Sequence, residues 1–178
     1  VVIAGSGTVV VESYGPARIR AEYEEIRAAA GQPPAPVMAV VSNQLRLDFS
    51  ARFFTGELQR PIVATCESAP PDRLRAAHQV ADGIVAGAHV VEPALLVEAL
   101  TERGYSRLLC EGGPTLLGDV AAAGVLDELC LTVSPMMVGG PSRRVLDGPV
   151  LEPPHELRLT QLLLDDEQFL YARYEVQR

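Results

Sequence analysis

The chain has no lysine: all 15 of its cations are arginine, among 178 residues. This excludes a lysine Schiff base, and a P-loop would also lack its lysine here. Cysteine is sparse, at positions 66, 110 and 130 only, with an odd count and no C-x-x-C pair. Such residues read as small apolar core cysteines of a protein from a reducing, cytoplasmic compartment. His78, His89 and His155 show no metal-ligand spacing with cysteine or carboxylate, so no metal is expected. No apolar run reaches the length of a membrane span, although 48% of the residues are apolar. A net charge of −8 argues against nucleic acid or an anionic membrane as partner. A serine hydrolase is excluded too, because Gly5-Ser6-Gly7 lacks the Gly-x-Ser-x-Gly spacing. The length suits one domain over residues 1–178, with a small molecule as its ligand.

The most informative stretch present is Leu108-Leu109-Cys110-Glu111-Gly112-Gly113-Pro114-Thr115-Leu116-Leu117. An apolar strand stops at a carboxylate, turns through two glycines and enters a helix at a proline. Without Cβ atoms, the glycines let a phosphate approach the backbone amides. Proline suits the first helical position, and the free amides of that turn favour an anion. A second glycine-bearing turn, Gly5-Ser6-Gly7-Thr8, follows the first strand. Its Thr8 hydroxyl can bond a phosphate or ribose. It is not the dinucleotide fingerprint, since the third glycine is missing. Two such turns together point to an extended phosphate-bearing ligand. The third candidate is Val40-Val41-Ser42-Asn43-Gln44-Leu45-Arg46, where a strand ends in small polar residues. Those groups could meet a ribose and Arg46 a phosphate; read alone, the segment is a polar loop with a solvated arginine.

Strand-length apolar runs at 1–4, 37–41, 62–66, 83–86, 108–110, 128–133, 157–164 and 169–176 alternate with helix-like segments. The helical segments are 17–30, 72–80, 93–103 and 114–123, with Gly31, Gly104 and Gly124 at C-cap positions. The alternation predicts an α/β fold whose mixed, mostly parallel twisted sheet is flanked by helices. Asp165-Asp166-Glu167-Gln168 separates the last two strands without a helix, which predicts a terminal antiparallel hairpin with a solvated tip. Cys110 sits inside an apolar strand, where a nucleophilic thiolate is disfavoured. Arg143-Arg144 reads as an exposed loop pair.

Taken together, Glu111-Gly112-Gly113-Pro114-Thr115-Leu116, the run Ala123-Gly124-Val125-Leu126-Asp127-Glu128-Leu129, Ser134-Pro135, Gly139-Gly140 and the Gly5-Ser6-Gly7-Thr8-Val9 turn resemble a known family. It is the RibD C-terminal family, the reductase domain of the riboflavin pathway, of dihydrofolate reductase-like fold. The resemblance implies NADPH as cofactor, held by Gly7, Thr8, Gly112, Gly113 and Thr115, with Ser42 at the adenosine 2′-phosphate region. It also implies hydride transfer to a pyrimidine- or pterin-like heterocycle, a homodimer, and a cis peptide between Gly112 and Gly113. Glu111 occupies the position that contacts substrate; the other reading makes it a strand-end carboxylate capping the Gly-Gly turn. Three departures stand out. Asn43 replaces an arginine frequent in relatives, so Arg46 is expected to read the 2′-phosphate. Glu12-Ser13-Tyr14-Gly15-Pro16-Ala17-Arg18-Ile19 replaces the relatives' Asp-Asp-Pro-x-Leu substrate stretch. A further strand and helix are expected ahead of Val1. The alternative is a non-catalytic nucleotide-binding protein or oligomer subunit that retains the reductase fold.

Overall fold

The computed structural model describes residues 1–142 and 144–177. Five strands, β1 (Val2–Gly5), β2 (Met38–Val41), β3 (Ile62–Thr65), β4 (Asp82–Val85) and β5 (Leu109–Cys110), form a parallel sheet in the order β4-β3-β2-β1-β5. Helices α1 (Ser6–Val11), α2 (Glu24–Ala29), α3 (Pro71–Val80), α4 (Pro93–Glu102) and α5 (Pro114–Ala122) accompany it. Strands β6 (Glu128–Val133), β7 (Leu157–Leu164) and β8 (Leu170–Val176) make a separate antiparallel sheet in the order β6-β8-β7.

The parallel sheet is buried on both faces because successive side chains of a strand point to opposite sides. Ala4, Val40 and Val63 pack on one face with Val9, Leu45 and Phe53. Ile3, Ala39, Ile62 and Ala64 pack on the other with Ile84, Leu96 and Leu100. Full burial of a leucine such as Leu100 contributes about 2 kcal/mol. Helices α3, α4 and α5 each begin at a proline, the position where a missing N–H costs nothing. Gly31, Gly104 and Gly124 end the second, fourth and fifth helices at φ of 63°, 85° and 68°, as their C-cap spacing predicts.

Two segments differ from expectation. The helix predicted over 17–30 shrinks to a 3-10 turn, Ala21–Tyr23, followed by α2. No residue of either is buried, so the segment has no apolar stripe to anchor a longer helix. Conversely, Ser6–Val11 is a helix where the sequence reads as a turn. Three successive valines do not favour helix, but Val9 is driven into the core while Val10 and Val11 stay exposed.

A third difference concerns the sheets, which are two and not one. Among the described residues β5 pairs only with β1, and β6 only with β8. Their unpaired edges border one cleft of about 1620 Å³. The terminal hairpin forms as expected, and Asp165 closes its tip by accepting bonds from Glu167 N, Phe169 N and Tyr171 OH. These bonds, led by the Phe169 N–H, hold the Asp165 carboxyl below its ordinary range. Every residue of β7 is exposed, including Leu162, Leu163 and Leu164. The cysteines only partly match a core role: Cys66 is buried, Cys110 half-buried and Cys130 exposed.

Candidate active site

Parallel pairing puts the C-terminal ends of β2, β1 and β5 side by side. Loops leaving such adjacent strand ends form a natural crevice for ligands. β1 runs into Gly5 and α1; β5 runs through Glu111, Gly112 and Gly113 into α5. The two turns lock together, with Gly5 N–H donating to Gly112 O at 2.7 Å. Gly112 has φ 76°, a backbone state glycine adopts freely. The Gly112–Gly113 peptide is cis, as the resemblance implies. A Cβ on Gly113 would lie 2.9 Å from Thr8 Oγ1, so the second glycine keeps the two turns in register.

A cleft of about 900 Å³ opens over this junction. Gly7, Thr8, Ser42, Gly113 and Thr115 all line it, although they come from three separate stretches of sequence. Gly112 borders the neighbouring cleft of about 1620 Å³, as Glu111 does. Arg46 lines neither and is exposed. In the irregular segment after β2, Leu45, at φ 51°, and Leu47 are buried on either side of it while Arg46 is exposed. The Arg73 guanidinium fixes this arrangement by bonding the carbonyls of Leu45 and Leu47. Asn43 has a structural duty, its Oδ1 accepting from Val91 N–H at 2.8 Å. Arg144 is exposed, as expected for its loop, and Arg143 lies outside the described residues.

Glu111 has a partner that sequence spacing gave no means of finding. Tyr14 OH donates to Glu111 Oε2 at 2.6 Å, across 97 residues of sequence. Burial, the bond to Glu111 and the nearby charges of Glu111 and Glu12 push the Tyr14 hydroxyl up to about 12. It therefore stays protonated and donating throughout the neutral range. The hydrogen bond that the Glu111 carboxylate makes thus runs to the Tyr14 hydroxyl. Burial pushes the Cys110 thiol up, which keeps it a poor nucleophile.

Beside Tyr14, Ser13 and Gly15 border a third cleft, of about 1020 Å³. Arg18, Arg20, Arg27, Arg52 and Arg107 line it, and no carboxylate does among the described residues. Among the described residues none of these five is ion-paired, so their charge is available to an anion. The described residues hold no cluster of His, Cys, Asp or Glu fit for a metal ion, and no helix long and apolar enough to cross a membrane.

Residues 1–171 match the RibD C-terminal domain. The chain belongs to that family. It is 33% identical over 148 residues to the 2,5-diamino-6-ribosylamino-4(3H)-pyrimidinone 5′-phosphate reductase of Archaeoglobus fulgidus, covering 83% of this chain and 67% of the relative. The protein of the same name from Methanothermobacter thermautotrophicus is 35% identical over 130 residues, covering 72% and 59% of the two chains. The alignments thus leave a third or more of these relatives' length unmatched. Among solved structures, a pyrimidine reductase-like protein from Corynebacterium diphtheriae superposes with a TM-score of 0.85 at 25% identity, covering 99% of this chain and 75% of that one. The riboflavin biosynthesis reductase Rib7 of Saccharomyces cerevisiae shares the fold, with a TM-score of 0.69 at 15% identity, covering 99% of this chain and 74% of its own.

Proposed function

We propose that this RibD C-terminal domain is a reductase that transfers hydride from a reduced nicotinamide dinucleotide to a phosphorylated pyrimidinone of the kind its relatives reduce. The observation that carries this reading is the meeting of Gly7, Thr8, Ser42, Gly113 and Thr115 in one cleft next to the Tyr14–Glu111 pair. The donors suit a pyrophosphate: hydroxyls of Thr8 and Thr115, and backbone at a glycine whose added Cβ would fill the space. NADPH is the cofactor the family resemblance implies, with Gly7, Thr8, Gly112, Gly113 and Thr115 around it. The bound nicotinamide supplies the hydride; the chain holds and orients it and excludes water.

Glu111 and Tyr14 then face the substrate. The carboxylate accepts a hydrogen bond from the heterocycle or passes a proton, and Tyr14 fixes its orientation. The arginine-lined cleft takes the substrate's 5′-phosphate, since it begins on either side of Tyr14 and carries unpaired positive charge. The exposed leucines of β7 would pair two copies as a homodimer.

The test is absorbance decay of the reduced cofactor in the presence of a ribosylaminopyrimidinone 5′-phosphate. Substrate-dependent decay supports the reading. Cofactor binding without any decay favours the non-catalytic alternative, to which the altered 12–19 stretch lends some weight.

A further inference from the structure

We infer that the cofactor cleft selects a dinucleotide with a free ribose 2′-hydroxyl, NADH, over its 2′-phosphorylated counterpart, with Glu92 as the selecting residue. The inference rests on the reductase reading of this cleft and concerns only which nicotinamide it takes. Three acidic side chains, Glu12, Glu92 and Asp119, line the cleft, and none of its described lining residues is Arg, Lys or His. A 2′-phosphate adds about two negative charges, and sites that accept it supply an arginine. Arg46, the expected reader, is held outside by its buried neighbours Leu45 and Leu47. Asn43, at the position of the relatives' arginine, has its side-chain oxygen occupied by Val91 N–H. The 2′-phosphate of NADPH does not fit this lining.

Glu92 is placed to read the hydroxyl. It precedes α4, at the N-cap position, yet its carboxylate makes no capping bond. Its backbone N–H donates to Ala86 O at 2.7 Å, and the Asn43–Val91 bond ties the same segment to the end of β2, where Ser42 sits. The side chain folds beside Gly87, where an added Cβ would come within 3.0 Å of Oε1. The carboxylate is an acceptor-only group free of protein partners among the described residues. A ribose diol offers it donors, whereas a phosphate offers only like charge.

The experiment is a fluorescence titration of the protein with NADH and with NADPH, repeated for Glu92→Gln, Glu92→Arg and the control Asp166→Asn, each checked by circular dichroism. NADH binding at least about tenfold tighter than NADPH is expected. Glu92→Gln should narrow that ratio and Glu92→Arg reverse it, while Asp166→Asn, at the hairpin tip and outside the cleft lining, leaves it unchanged. Competition by ADP but not by adenosine 2′,5′-bisphosphate would support the same conclusion without the nicotinamide. Equal or tighter binding of NADPH by the unaltered protein overturns the inference and leaves the reductase reading standing. A ratio unmoved in both folded Glu92 variants overturns the role of that residue. Failure of both cofactors to bind overturns the cleft assignment itself.

Discussion

The two clefts that approach β1 carry opposite charge. Among the described lining residues, the one at the strand ends has Glu12, Glu92 and Asp119 and no cation; the other has five arginines and no carboxylate. Such segregation in a chain of net charge −8 separates two ways of holding phosphate. The acidic cleft must rely on backbone approach, hydroxyls and the start of α5, which demand close geometry. The arginine cleft relies on net charge, which tolerates geometry and yields to salt. Substitutions should therefore act on the two clefts in different ways.

Gly113→Val should have the largest effect, lowering nicotinamide affinity by about two orders of magnitude. Its Cβ would be driven against Thr8 Oγ1, 2.9 Å away, where the two turns pack together. Titration calorimetry would read it; unchanged affinity would show that the turns do not form the site. Next, Arg52→Ala combined with Arg107→Ala should raise the KM for a phosphorylated substrate about tenfold with little change in cofactor affinity. Added salt should mimic the substitutions in the unaltered protein, and equal losses in both clefts would erase the contrast.

Tyr14→Phe should lower turnover by a smaller factor, since Glu111 would lose an orienting bond but not its charge. Its signature is in the pH dependence. The folded-state pKa of about 12 lies above the ordinary 10.0, so the contribution of this phenol to stability is complete below pH 10 and is lost as pH rises through 12. Ultraviolet titration should lose its latest tyrosinate component in the variant. The smallest effect is expected for Asp166→Asn at the solvated hairpin tip. It should leave both clefts intact and move stability by less than about 0.5 kcal/mol in chemical denaturation.

Strands and helix ends were legible in the sequence because local physics decides them. The run 62–64 is apolar throughout, prolines open α3, α4 and α5, and glycines close α2, α4 and α5. The Gly112–Gly113 turn was legible for the same reason. α1 was not, because tertiary burial of Val9 overrides the local preference of a valine run. The division into two sheets was also hidden, since pairing partners leave no mark on a single strand's pattern. The Tyr14–Glu111 bond and the charge of the cofactor cleft join residues remote in sequence, and no spacing rule reaches them. Arg46 shows the converse: a plausible residue near the right strand end, turned away by its two buried neighbours.

The most direct measurement uses reduced nicotinamide deuterated at its transferable position, the protein, and a ribosylaminopyrimidinone 5′-phosphate, with the product examined by mass spectrometry. One deuterium in the product, lost with Gly113→Val, is the result this account predicts. Bound cofactor with an unlabelled, unreduced pyrimidinone would contradict it.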